Sequence, residues 1–251
     1  MTNILLSGCN GKMGQVIARL SEKFEDLKIV AGYDITSSAK YSFPVYTDLS
    51  GIKEKIDVIV DFSSPDALEG LLKFTLARKI PLVMATTGLS QTQLKAVESA
   101  SQKIAVFLSP NMSLGINLLI DLVKKAAKVL ENNFDIEIVE KHHNQKVDAP
   151  SGTALIIADS INSVLEQPNE YVFDRHSRRK KRSRREIGIH AVRGGTIVGE
   201  HSVIFAGSDE IIEINHTAMS KDIFGVGALR AARFMHGRKP GLYNMKDLIS
   251  E

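Results

Sequence analysis

From Asn3 to Phe24 the chain reads "NILLSGCNGKMGQVIARLSEKF", a short apolar segment that passes through Gly8, Gly11 and Gly14 straight into a helical pattern. Glycine permits a sharp turn and lets backbone N–H groups come close to a pyrophosphate, while the start of a helix favours negative charge. The spacing is G-x-x-G-x-x-G, one residue away from the common G-x-G-x-x-G, so glycines serving only a strand-to-helix turn would also explain it. A second signal favours the dinucleotide. The next apolar segment, "LKIVAGY", ends at Asp34, 20 residues beyond Gly14, where an acid reaches the adenosine ribose hydroxyls. A Walker loop is excluded, because Lys12 is followed by Met13 and the four-residue spacer is missing.

Working outward, Val- and Ile-rich runs alternate with helical patterns: "KIDVIVDFS" then "PDALEGLLKFTLAR", "PLVMATTG" then "TQLKAVESASQ", and "IAVFLSPNM". Runs apolar on both faces and separated by helices describe a parallel sheet covered on both sides. The expectation is an α/β, Rossmann-like doubly wound domain over residues 1–112. After "SPNMS" the texture changes to one long amphipathic helix, "LGINLLIDLVKKAAKVLEN". The strands that follow, "FDIEIVEK", "EIGIHAVR", "TIVGEHSVIFAG" and "EIIEINHTA", alternate as half-exposed strands do. This describes a second, α+β domain over residues 113–219 with a mixed, open sheet, followed by a helix, "IFGVGALRAARFMHG".

Composition bounds the function. With 251 residues and 43% hydrophobic content the chain can bury a sizeable core, and no apolar run approaches a membrane span. The N-terminus carries no basic leader, so a cytoplasmic protein without membrane attachment is expected. Cys9 is the single cysteine, which rules out a disulfide framework or a Cys-based zinc site within one chain. The formal charge of +3 is uneven, because "RHSRRKKRSRR", Arg175 to Arg185, holds eight of the 32 Lys and Arg residues. Without that run the chain is mildly acidic, so a general nucleic-acid surface is not implied. The run reads as a solvated, mobile loop. A nucleotide-sensing regulator that binds nucleic acid through residues 175–185 is the alternative, although no aromatics interleave to stack bases.

The chemistry concentrates in "EKHHNQKVDAPSGTA", Glu140 to Ala154. On an extended strand His142 and His143 point to opposite faces, which disfavours one metal ion held by both. Lys141 and Lys146 disfavour a cation further and welcome an anion. "DAPSGTALIIADSI" reads as a helix start whose first-turn N–H groups, at Gly152 and Thr153, can receive a carboxylate or phosphate. Capping alone would explain Ser151 or Thr153. Taken with the histidines and the lysine, however, the segment describes a pocket for an acidic small molecule and a proton donor active near neutral pH.

With "GCNGKMG", "ATTG" (Ala85 to Gly88), "SPNMSLGIN" (Ser109 to Asn117), "AVRGGTIVGEH" (Ala191 to His201) and the closing "GLYNMKDLI", this segment closely resembles the 4-hydroxy-tetrahydrodipicolinate reductase family, long called dihydrodipicolinate reductases. The resemblance covers nearly the whole chain; the histidine segment is specific to that family and the glycine loop is not. It implies NADH- or NADPH-dependent reduction of a cyclic dicarboxylate in the diaminopimelate route to lysine. It also implies His142 as general acid, Lys146 as a second proton donor, and His143, Ser151, Gly152 and Thr153 around the substrate. The cofactor would lie on Gly8, Cys9, Asn10, Gly11, Lys12, Met13 and Asp34, with Ala85, Thr86, Thr87, Ser109, Pro110, Asn111 and Met112. It further implies a homotetramer built through the second domain's sheet, a C-terminal segment (220–251) that completes the nucleotide domain, hinges near Met112 and Ser220, and no metal. Asp34 followed by Ile35 favours NADH, since a carboxylate repels a 2′-phosphate; Lys12 and Lys40 leave NADPH open. Three features depart from the family pattern: Ala85 stands where glycine is usual, the ribose acid is Asp rather than the frequent Glu, and the basic run is richer.

Overall fold

The computed structural model describes residues 1–37 and 40–251 and divides into two units, Met1–Leu114 with Lys221–Glu251, and Gly115–Ser220. The chain opens with β1 (Thr2–Ser7), α1 (Lys12–Ser21), β2 (Leu27–Tyr33), β3 (Val45–Tyr46), β4 (Val58–Asp61), α2 (Leu68–Arg78), β5 (Leu82–Met84), α3 (Gln91–Ser101) and β6 (Ala105–Leu108). It continues with α4 (Leu114–Leu130), β7 (Asp135–His142), α5 (Gly152–Asn162), β8 (Glu170–Val172), β9 (Glu186–Arg193), β10 (Gly199–Ala206) and β11 (Ile211–Ala218). It closes with α6 (Asp222–Met235), β12 (Gly241–Tyr243) and α7 (Met245–Ile249).

The first unit is a seven-stranded parallel sheet in the order β12-β6-β5-β4-β1-β2-β3. Successive residues of each strand enter two different cores. Ile4, Leu6, Val58, Val60, Val83 and Phe107 pack with α1 and α6 on one face. Leu5, Ile59, Leu82, Met84 and Val106 pack with α2 and α3 on the other. Burial on both faces is why these strands read as unbroken apolar runs. The C-terminal segment belongs to this unit. Small residues let α6 lie close: a Cβ on Gly225 would come within 2.8 Å of Leu20, and one on Gly227 within 1.8 Å of the Met112 carbonyl oxygen. The two- and three-residue strands β3 and β12, which lengthen the sheet at its edges, were not expected from the sequence.

The second unit carries a mixed five-stranded sheet, β11-β10-β7-β9-β8, in which β7, β8 and β9 run parallel and β10 and β11 antiparallel to their neighbours. One face packs Ile136, Ile138, Ile187, Ile189, Val203 and Phe205 against Leu119, Val123 and Ala127 of α4 and Ile157 and Ile161 of α5. The other face leaves Val192 and Ile211 exposed. The basic run is only partly the solvated loop expected of it. Arg175 pairs with Glu137 and Glu186, Arg178 with Glu170, and Arg182 with Asp135 and Glu137, so three of its arginines fold down onto acids around this sheet. Those acids lie up to 47 residues away in the chain, beyond the reach of local pattern reading.

Candidate active site

In the first unit the glycine loop is closed by backbone contact. Gly8 has φ +76°, and a Cβ there would lie 2.6 Å from the Phe62 carbonyl oxygen; one on Gly14 would lie 2.2 Å from that of Gly8. Gly11 caps α1 with no side-chain hydrogen bond, so the first N–H groups of the helix are left for a ligand. The Asn10 N–H donates to Asp34 Oδ2 at 2.8 Å, tying the loop to the acid at the end of β2. Cys9 is fully buried, and burial, with Asp34 nearby, pushes its thiol up to about 11; it packs and does not react.

Beyond the strand ends lies a cleft of about 350 Å³, lined by Gly11, Lys12, Met13, Ala85, Thr86, Thr87, Pro110 and Met112, with Phe62, Ser63 and Phe224. Eight expected cofactor residues from three loops thus converge. Ser109 and Asn111 stand behind the lining, where Ser109 Oγ donates to the Asn111 carbonyl at 2.8 Å. Asp61, a buried acid at the end of β4, accepts from Ser63 Oγ and Thr86 Oγ1, each at 2.6 Å, and so braces two of the lining loops. The uncapped helix tip, a loop with no room for side chains and an acid 20 residues on fit a dinucleotide.

In the second unit, β7 alternates so that Ile136, Ile138, Glu140 and His142 share the inward register. His143 follows the strand's end and Lys146 lies in the turn beyond it. His142 Nδ1 is 2.6 Å from Glu140 Oε2. Glu140 Oε1 accepts from the Ser151 N–H at 2.9 Å, and Arg193 donates to both oxygens, at 2.7 and 2.8 Å. Burial pushes the Glu140 carboxyl up, but Arg193, His142 and Ser151 together outweigh it and hold the group below its ordinary range. Ser151 caps α5: its hydroxyl accepts from the Ala154 N–H at 3.2 Å and lies 3.2 Å from His201 Nε2. The side chain is therefore engaged behind the helix tip, while Gly152 and Thr153 form the first turn.

On the near side, Lys146 Nζ lies 2.8 Å from Asp148 Oδ1. Lys146, together with an N–H from Gly152, lowers the Asp148 carboxyl. His201 stands beside Glu140 across β10, with its ring 5.3 Å from that of His142 in an edge-on arrangement. Burial, reinforced by the charges of His142, His216 and Lys146, holds its imidazole down at about 4, although Glu140 acts in the opposite sense. Glu140, Arg193 and His201 were all missed by sequence reading. The available signal was an acid and a histidine in phase with the buried isoleucines and valines of their strands. Among the described residues no group of three or more His, Cys, Asp or Glu is placed to hold a metal ion.

Residues 2–112 match the family model described as dihydrodipicolinate reductase, N-terminus, and residues 115–249 match its C-terminus counterpart. The 4-hydroxy-tetrahydrodipicolinate reductase of Caldanaerobacter subterraneus subsp. tengcongensis is 58% identical over 251 residues, covering 100% of this chain and 99% of the relative. That of Clostridium tetani is 49% identical over 250 residues, covering 100% and 98%. Among solved structures, the dipicolinate-bound dihydrodipicolinate reductase of Paenisporosarcina sp. TG-14 matches with a TM-score of 0.83 and 26% identity, over 98% of this chain and 99% of that one. Nothing in these likenesses favours the nucleic-acid reading, and three arginines of the basic run are already committed to the chain's own acids. The chain belongs to the dihydrodipicolinate reductase family, NAD(P)H-dependent oxidoreductases of lysine and diaminopimelate biosynthesis built on a dinucleotide-binding domain.

Proposed function

We propose that the first unit binds NADH in preference to NADPH, that the second holds the dicarboxylate 4-hydroxy-tetrahydrodipicolinate, and that His142 is the general acid of the reduction. One observation carries this reading: an unbroken chain of contacts runs from His142 through Glu140 and Ser151 to the tip of α5, and from Gly152 through Asp148 to Lys146. It gathers an imidazole, an ammonium and a helix N-terminus around one spot. An imidazole, an ammonium and a helix N-terminus suit a doubly negative heterocycle.

The reaction takes up one hydride and one proton and releases one water. Reduced nicotinamide supplies the hydride when bound. The chain's own residues do the rest. Gly152 and Thr153, with His143, receive carboxylate oxygens, and Ser151 keeps the helix tip open from behind. Lys146 neutralises the second negative charge and serves as a further proton donor. His142, with Nδ1 turned to Glu140, offers Nε2 to the carbon or leaving group where negative charge would otherwise build up.

For the cofactor, the backbone of Gly8, Cys9, Asn10, Gly11, Lys12 and Met13 would hold the pyrophosphate and Asp34 the ribose. The loops ending in Ala85, Thr86, Thr87, Ser109, Pro110, Asn111 and Met112 would border the nicotinamide, where Ala85 narrows the space. Asp34, followed by an Ile35 that is 92% exposed and offers no cation, supports NADH. The open sheet face bearing Val192 and Ile211 supports a homotetramer built through that sheet. A lone cysteine and pyridine-nucleotide chemistry support a cytoplasmic setting.

The test is a coupled assay in which dihydrodipicolinate synthase generates the unstable substrate while each reduced cofactor is titrated. His142→Gln should lower turnover by about 10² to 10⁴ with smaller changes in KM, the range for loss of a general acid. Lys146→Ala should reduce kcat and raise the substrate KM together. Full turnover in His142→Gln would remove that residue from the mechanism.

A further inference from the structure

We propose that Glu140, clamped by Arg193, is a positioning residue that aligns the His142 imidazole and the tip of α5 as one rigid unit. The proposal rests on the reading of His142 as proton donor.

Glu140 is completely buried, in a strand register otherwise given to Ile136 and Ile138. An ion pair in such a place is a poor way to gain stability, since apolar side chains of similar volume usually serve as well or better. Its geometry offers a different reason for its presence. Each carboxylate oxygen accepts one Arg193 nitrogen and one group of the site: Oε2 takes Nη1 and His142 Nδ1, and Oε1 takes Nη2 and the Ser151 N–H. The planar guanidinium fixes the plane of the carboxylate. The carboxylate in turn fixes both the ring and the helix cap. Arg193 Nη2 also donates to the Asp148 carbonyl at 2.6 Å, which anchors the turn between them.

The chemical consequence lies in the ring. An ionised carboxylate only accepts, so Nδ1 must carry hydrogen and the reacting nitrogen is Nε2. Nε2 has close surroundings, because a Cβ on Gly199 would stand 3.1 Å from it. The charged form of His142 faces Glu140 on its own strand, Arg193 on β9, His201 on β10 with His216 beyond it on β11, and Lys146 from the turn. Glu140 is the acid in direct contact with the ring. Neutralising it therefore penalises the protonated donor and frees the ring to exchange tautomers.

The experiment compares wild type with Glu140→Gln and Arg193→Lys. NADH binding, followed by fluorescence, reports an intact first unit, and circular dichroism an intact second one. Glu140→Gln should lose about 10- to 100-fold in kcat, the scale set by a small misplacement of a catalytic group, with a smaller change in KM. The alkaline limb of its kcat profile should move to lower pH. Nitrogen NMR of the His142 ring should show protonated Nδ1 in wild type and a tautomer mixture in the variant. If Glu140→Gln does not fold, Arg193→Lys decides the matter. It keeps the charge but removes the two-pronged grip, so kcat should fall several-fold with the NMR pattern retained. A folded Glu140→Gln with unchanged kcat, pH profile and tautomer overturns the proposal, as does unchanged kcat in Arg193→Lys where that variant must decide. If His142→Gln is crippled in the same assay, only the positioning role fails; if it is fully active, the reading beneath it fails instead.

Discussion

Lys146 Nζ lies 2.8 Å from Asp148 Oδ1, so the ammonium proposed to meet a substrate carboxylate is already paired with one from its own chain. Asp148 also draws on the Gly152 N–H at the tip of α5. It thus occupies two of the groups proposed to receive a dicarboxylate, Lys146 and Gly152. A ligand must displace it, and half-exposed ion pairs of this kind contribute roughly 0.2 to 1 kcal/mol. Asp148→Asn should therefore tighten dipicolinate binding by about 2- to 5-fold, measured by calorimetry, with the gain shrinking at high salt. Weaker binding would show instead that Asp148 holds Lys146 in place for the ligand.

His201 gives the fold an acid limit. Its ring is held at about 4 by burial and by neighbouring positive charge, whereas an unfolded histidine titrates near 6.5. Between these values the unfolded chain binds the extra proton. The stabilisation from keeping the ring neutral is complete above about pH 6.5 and is lost progressively as pH falls toward 4, by about 3 kcal/mol in all. Burial moves His216 in the same direction. Denaturant melts of wild type and His201→Asn at several pH values check this: the variant should show a flatter decline below pH 6.5.

Asp34 should govern the choice of nucleotide. Its Oδ2 receives the Asn10 N–H, which orients the carboxylate at the edge of the loop and leaves Oδ1 for a ribose hydroxyl. A charge-assisted hydrogen bond is worth about 1.5 to 3 kcal/mol. Asp34→Ala should accordingly weaken NADH by about 10-fold or more and spare NADPH, because the same carboxylate repels a 2′-phosphate. Titration of both cofactors in the coupled assay reads the ratio directly, and an equal loss for both would assign Asp34 to loop structure alone.

The alternation of apolar runs and helices made the first unit legible, because strands buried on both faces carry that fact in every residue. Short edge strands did not announce themselves: Val45–Tyr46 and Gly241–Tyr243 pair only because a neighbouring strand offers its edge. In the candidate site, "EKHHNQKVDAPSGTA" marked the groups that would face a ligand. The groups behind them were harder to see, since Arg193 reaches Glu140 across 53 residues and only the pairing of β7 with β9 brings them together. Glu140 itself was legible in principle, standing in step with Ile136 and Ile138. The basic run misled for the complementary reason, since its charges were visible and the acids that meet three of them were not.

Gly14 offers the sharpest test of the glycine loop, because the obstacle to a side chain there is backbone. A methyl group would lie 2.2 Å from the Gly8 carbonyl oxygen and 2.7 Å from two backbone atoms of Cys9, none of which can rotate away. Either the loop lifts off the helix or α1 shifts, and overpacking of this kind costs about 1 to 3 kcal/mol. Helix propensity works the other way, favouring alanine by up to about 1 kcal/mol. Gly70 isolates that opposing effect. It sits exposed within α2, and a Cβ there meets nothing within 4 Å. Gly70→Ala should therefore raise the melting temperature by a few degrees and leave NADH binding unchanged. Gly14→Ala should lower it and weaken NADH at least 10-fold, as the N–H groups of the loop lose their alignment. If both variants behaved alike, the glycine at position 14 would be serving helix flexibility and not the close approach of loop and helix.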